Sequence, residues 1–305
     1  MKDSKKLIVT HDGGFHADDA FAVAALLLHT KGNAEVVRSR VPKVIASGDF
    51  VVDVGWEYNE TRSRFDHHQP GGAGERSNKI PYAAFGLVWK KFGAAISDSE
   101  EIAARVDAKL VQPIDAADNG VQLGNYEGAL AFPYFMQNAV FAFEPTWNEK
   151  NLSLDAQFDE ARKFAGVILE REIAHARDAL LGEGRVRAAY KAAEDKRIIV
   201  LDEKYHWGDI LGEKAEPLFV VTPDRGPSGN WRAHAVRVGP NSFTSRLSFP
   251  EAWAGKRDEE LALVSGVPDA VFCHNKLFTV AAQTKEGAIA LAKKALEQTP
   301  MFEAH

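Results

Sequence analysis

The first half of this 305-residue chain alternates short β-branched runs with helical stretches, which predicts an α/β fold built on a mainly parallel sheet flanked by helices. From about Leu154 to Lys196 the chain is rich in Ala, Glu, Arg and Leu and lacks proline, so it reads as one or two long helices. Strand signals return beyond Arg197. The expected organisation is an N-terminal domain over 1–153, a helical linker over 154–196 and a smaller C-terminal α/β domain over 197–305.

The elements follow in order. Leu7–Thr10 reads as a strand, Gly13-Gly14 as a turn and Ala17–His29 as a helix. Glu35–Val41 is a second strand. Asp49–Gly55 is a third, with consecutive apolar residues as expected for burial on both faces. Residues 70–80 form a glycine-rich loop, and Pro81–Phe92 and Asp98–Val111 carry helical periodicity. In the last third, Arg197–Leu201, Pro217–Val221, Trp231–Val238 and Ala270–His274 read as strands, and Lys285–Gln298 as a closing helix.

Composition narrows the function classes. With 45% hydrophobic and 26% charged residues, the chain is globular rather than disordered. A net charge of -6 argues against a broad, non-specific nucleic-acid coat while leaving room for a local basic groove. The single cysteine, Cys273, excludes an intramolecular disulfide and sits in an apolar run as a buried thiol. The charged stretch Met1–Lys6 leads straight into a strand. The longest wholly apolar run, Ala20–Leu28, is far short of the roughly 20 residues a bilayer requires. A soluble cytoplasmic protein with no membrane partner is expected.

Four segments carry chemistry. His11-Asp12-Gly13-Gly14-Phe15-His16-Ala17-Asp18-Asp19 joins a strand to a helix, at the strand end where α/β sheets bind ligands. Asp53 closes an apolar strand, where a carboxylate is costly unless paired or bound to a cation. Phe65-Asp66-His67-His68-Gln69 enters the glycine-rich loop. If it is extended, His67 and His68 point to opposite sides, one toward a metal and the other toward substrate. Ile114-Asp115-Ala116-Ala117-Asp118-Asn119-Gly120 follows a helix, and either Asp115 or Asp118 would complete a metal shell. A ligand set of imidazole and carboxylate without thiolate suits Mn²⁺ best, with Mg²⁺ or Co²⁺ as alternatives. Two ions sharing one carboxylate is the arrangement used for in-line phosphoryl displacement.

These motifs, in this order, resemble the DHH phosphoesterase superfamily, whose namesake triplet stands here as Asp66-His67-His68. The closer resemblance is to the MYG1 (UPF0160) family and covers nearly the whole chain. Thr10-His11, Phe15-His16, Asp18-Asp19, Asp53–Gly55, Phe65–Gln69 and Asp115–Gly120 match its N-terminal motifs. In the second half, Trp231-Arg232, Ser242–Leu247, Ser265–Pro268 and Thr284–Ala288 match as well. One departure is Ala281-Ala282, where the family tends to carry a glycine pair.

The resemblance implies a DHH-type catalytic domain followed by a substrate-binding domain. One metal would be held by His11, His16 and Asp53. The other would be held by Asp18, Asp53, His67 and one of Asp115 and Asp118, with Asp53 bridging. Asp66 and His68 would be catalytic, His68 lying near the scissile phosphate, and Arg232, Arg246 and Lys285 would grip further phosphates. The implied activity is a metal-dependent 3′–5′ exonuclease acting on RNA or short oligonucleotides through two-metal activation of water. The alternatives are a manganese-dependent pyrophosphatase, a phosphodiesterase of linear or cyclic dinucleotides, or a non-enzymatic protein that senses nucleotide or metal. A homodimer is compatible with each. Trp231, Phe243 and Phe278 are candidate base-stacking residues, set against the commoner role of strand aromatics as core.

Overall fold

The computed structural model describes residues 5–128, 130–239 and 242–298. The chain divides into two compact units, one ending at Arg177 and the other beginning at Asp178.

In the first unit the elements run β1 (Lys6–Thr10), α1 (Ala17–His29), β2 (Ala34–Arg38), α2 (Pro42–Ser47), β3 (Phe50–Val52), β4 (Tyr58–Asn59), β5 (Arg64–Phe65), α3 (Ala84–Ser97), α4 (Glu100–Val106), α5 (Gln112–Asp118) and α6 (Met136–Phe141). The sheet order is β2-β1-β3-β5-β4. All pairings are parallel except β4 with β5, so the expected mainly parallel sheet is present. Ile8, Val9, Val51 and Val52 are wholly buried, as consecutive apolar strand residues require. Phe21 of α1 meets Phe85 of α3 with ring centroids 5.4 Å apart.

Several expected boundaries shift, each for a local reason. The second strand stops at Arg38 because Pro42 opens α2 at its first turn, where a missing N–H costs nothing. The third strand is only Phe50–Val52, because Asp53 takes a left-handed backbone with φ of 54°. Aspartate is among the few side chains that adopt this conformation readily. The segment expected to follow a helix lies inside one: α4 runs through a wider turn at Asp107–Val111 into α5, which carries both Asp115 and Asp118.

One helix, α7 (Leu154–Ala192), fills most of the proline-free run and contributes to both units. In the second unit follow β6 (Ile198–Val200), α8 (Gly208–Gly212), β7 (Phe219–Pro223), β8 (Trp231–Ala235), α9 (Asp258–Ser265), β9 (Ala270–Cys273), β10 (Thr279–Ala282) and α10 (Lys285–Gln298). The sheet order is β6-β7-β8-β10-β9, parallel only between β6 and β7. Alternation along β7 sends Phe219 and Val221 to the layer holding α10, and Val220 to the layer holding Val186 of α7 and Ile210 of α8. Cys273 is buried in the first of these layers, and burial pushes its thiol up to about 11. Among the described residues no helix is long and apolar enough to cross a membrane.

Candidate metal centre

The C-terminal ends of β1, β3 and β5, together with α5, deliver their polar side chains to one place. His11 follows β1 and is 3% exposed. The loop after it turns through Gly13, whose φ of 88° lies in the left-handed region that glycine enters freely. Arg38 of β2 donates to the Gly13 carbonyl at 2.6 Å. Glu144 accepts from the Phe15 N–H at 2.7 Å and Gln137 of α6 from the Ala17 N–H at 2.8 Å. His16 then caps α1, its N–H donating to Asp19 at 2.8 Å. The loop is thus held from three sides.

Asp53 is the hub. His11 Nε2 lies 3.2 Å from an Asp53 oxygen and 3.2 Å from Asp19 Oδ2. His67 Nε2 lies 3.4 Å from Asp53 Oδ1 and 3.1 Å from Asp118. His68 Nδ1 is 3.4 Å from the same Asp53 oxygen. The potential ligand atoms fall into three convergent groups: His11, His16 and Asp53; Asp53, His67 and His68; and Asp18, His67 and Asp118. Within each group they lie within 4.8 Å of one another.

Proximity here is not hydrogen bonding. His11 Nε2, His67 Nε2, Asp53 Oδ1 and Asp19 Oδ2 are all buried and lack a hydrogen-bond partner. Buried polar atoms are nearly always paired, so several orphans aimed at one space have the chemistry of a cation site. The donors are imidazole nitrogen and carboxylate oxygen without sulfur, which fits a first-row divalent ion.

The electrostatics agree. Burial works against charge on His11, but Asp19 and Asp53 outweigh it and push the imidazole up to about 10. Burial likewise opposes charge on His67, and Asp118 and Asp53 carry it up to about 11. Asp53 is buried too, yet His11 and His67 hold it below the ordinary carboxylate range. Asp18 is pushed well up by burial and by the neighbouring Asp118, Asp53 and Asp115. The cluster packs several buried carboxylates against two imidazoles, whose protons would leave if a cation took their place as counter-charge.

The structure separates Asp115 from Asp118. Asp115 is wholly buried and spoken for: Oδ1 accepts from the Gly86 N–H at 2.9 Å and Oδ2 from Arg76 at 2.7 Å. A Cβ on Gly86 would stand 1.8 Å from that carboxylate, so only glycine fits there. Asp118, one turn on, faces His67. Asp18 belongs to the cluster and also accepts from the Ala84 and Phe85 N–H groups at the start of α3, at 2.8 and 2.6 Å.

The triplet also differs from the extended reading. β5 ends at Phe65, so His67 and His68 do not alternate sides, and their ring centroids are 4.4 Å apart. Asp66 is buried and accepts from the His67 and His68 N–H groups at 2.7 and 3.1 Å, from His68 Nδ1 at 2.8 Å and from the Trp56 N–H at 2.6 Å. It therefore orients His68, and its bond raises the His68 pKa. Both Asp66 oxygens are thus engaged by neighbouring groups, although the residue also borders the cleft beside the cluster. Asp19, which the sequence motifs include but assign to neither metal, stands at the third position of α1 behind the histidine cap.

A cleft of about 920 Å³ opens onto the side of the cluster formed by His11, His16, Asp53 and His68. Arg40, Arg62, Arg64 and Trp56 line it too.

The phosphate-gripping residues expected in the second unit are not grouped together. Arg246 is committed to the backbone carbonyls of Gly212, Lys214, Ala215 and Pro217. Arg232 pairs with Asp224 at 2.7 Å and borders a second cavity of about 550 Å³ with Phe272, His274 and Phe278. Lys285 lies over the Trp231 ring at 5.5 Å. In the motif around it, Thr284 donates its hydroxyl to Asp269 and accepts from the Gly287 N–H, which caps α10. Ala281 and Ala282 are buried in β10.

Residues 7–296 match the model of a family described as an uncharacterised protein family, UPF0160. The MYG1 exonuclease of Mus musculus is 34% identical, over 96% of this chain and 85% of its own length. The MYG1 protein of Dictyostelium discoideum is 33% identical, over 96% of this chain and 97% of its own. The human MYG1 exonuclease is 32% identical, over 95% and 86%. With a match of this extent, the chain belongs to the UPF0160 family.

Proposed function

We propose that this protein is a metal-dependent phosphodiesterase that removes nucleotides from RNA or short oligonucleotides, with two divalent ions, Mn²⁺ foremost, held by the cluster around Asp53. The observation that carries the reading is Asp53 itself. It is a buried carboxylate shared by two groups of convergent ligands, with an orphaned oxygen between them.

In this reading His11, His16 and Asp53 hold one ion, and Asp18, Asp53, His67 and Asp118 the other. Bound there, the ions would acidify water and neutralise charge developing on the phosphoryl oxygens. His68 lines the cleft with Nδ1 tied to Asp66, so its other nitrogen is free to donate to a non-bridging or leaving oxygen of the phosphate. Two of the relatives compared are named exonucleases, which supports processing from an end. A net charge of -6 and a cleft of about 920 Å³ favour a substrate of few nucleotides.

The test is a substrate panel of RNA, DNA, dinucleotides and pyrophosphate with Mn²⁺, Mg²⁺ and Co²⁺. Release of mononucleotides from a short RNA by the wild type, and not by His67→Ala, is the expected result. Cleavage of pyrophosphate alone, or of nothing, would overturn it.

A further inference from the structure

Trp56 occupies a position that ordinary packing does not explain. Its backbone φ is 59°, in the left-handed region where a bulky residue is an outlier and glycine would sit without strain. Its side chain is 69% exposed, so the strain is not offset by burying the ring. The large apolar surface instead faces the cleft.

What holds Trp56 there is the same carboxylate that orients the cleft histidine. The Trp56 N–H donates to one oxygen of Asp66 at 2.6 Å, while the other oxygen accepts from His68 Nδ1 at 2.8 Å. The Trp56 backbone and the imidazole are thereby tied to one carboxylate, and the indole and imidazole ring centroids lie 6.3 Å apart. That separation is comparable with the distance from base to phosphate within one nucleotide. Pro42 and Ile45 extend the apolar wall, and Arg40 supplies a cation beside it.

We infer that Trp56 is a stacking platform for the base of the nucleotide whose phosphate lies at His68. The inference rests on the phosphodiesterase reading and sharpens its substrate class. A wall of indole and aliphatic side chains suits a base, whereas pyrophosphate would have no use for it. Stacking on an aromatic is tolerant of sequence, because every base has a π-face, so the site would read the presence of a base rather than its identity.

Calorimetric titration of the full chain with Mn²⁺ tests this, comparing adenosine 5′-monophosphate with ribose 5-phosphate, which lacks the base. Wild type is expected to prefer the nucleotide by about tenfold or more, the scale of one aromatic–base stack. Trp56→Ala should erase that preference and Trp56→Phe should keep most of it. If Trp56→Ala does not fold, Trp56→Leu makes the same comparison with an apolar, non-aromatic side chain. Absence of a preference in the wild type, or its persistence in the Ala or Leu variant, overturns the inference. Failure of the phosphodiesterase reading would look different: RNA would stay intact with every metal while the base preference still followed Trp56.

Discussion

The two units differ in whether their unpartnered buried atoms converge, as the potential ligand groups do only in the first among the described residues. In the first, His11, Asp19, Asp53 and His67 are buried with atoms that make ion-pair contacts with one another or with Asp118 but no hydrogen bond. In the second, Thr222 Oγ1 and Trp253 Nε1 are also buried without a hydrogen-bond partner, while the half-buried or exposed groups Arg246, Arg232 and Thr284 are matched, to backbone carbonyls, Asp224 and Asp269 in turn. The contrast recurs on a single helix turn, where Asp115 is saturated by Arg76 and Gly86 and Asp118 faces a histidine nitrogen without a hydrogen-bond partner. Matched burial builds architecture. Unmatched burial costs stability and persists where something else is bound.

The sharpest way to break this contrast is at its hub. Asp53→Asn keeps a side chain that tolerates the left-handed backbone but removes a charge shared by both ligand groups. Metal content measured by mass spectrometry should drop, and RNA hydrolysis should fall by roughly a thousandfold or more, as for residues that act as a unit. Retention of both bound metal and activity would remove Asp53 from the centre.

On the matched side, Arg76→Met should leave Asp115 buried without its cation. Breaking a buried pair from one side costs about 3–5 kcal/mol, which denaturant unfolding would register. Asp118→Asn should show the reverse pattern, with metal affinity lowered and the unfolding midpoint little changed.

A third prediction concerns pH and the second unit. Burial, with Lys204 and Arg232 nearby, lowers His234 from 6.5 to about 4. Between those values the unfolded chain takes up a proton that the folded chain refuses. The stability contributed by His234, present above pH 6.5, should therefore be lost as pH falls toward 4, to the extent of roughly 2–3 kcal/mol. His234→Gln should flatten that slope in urea titrations across the window. The smallest effect is expected at Arg232→Ala, where a partly exposed pair with Asp224 should be worth about 1 kcal/mol or less.

Much of this was legible beforehand because it depends on short-range pattern. The helix over Ala17–His29 and the closing helix over Lys285–Gln298 match the observed bounds, since apolar spacing and end residues are local signals. The placement of polar residues after strands β1 and β3 was equally local, because an Asp or His ending an apolar run can be read directly.

Other features depended on residues distant in the chain. Asp115 and Asp118 sit on one helix and differ only in what the fold brings to them: Arg76 and Gly86 for the first, His67 for the second. Arg246 resembled a phosphate ligand until the chain from Gly212 to Pro217 closed around its guanidinium. Trp56 carries no mark in the sequence, since neither its strained backbone nor its exposure toward the cleft leaves a trace in the spacing of side chains. The sequence by itself determined the type of domain, the kind of ligand atoms and the strand ends that would offer them, because these follow from local propensity and patterning. Which carboxylate is left unsatisfied was decided only by the tertiary structure, because hydrogen-bond satisfaction is a property of neighbours in space.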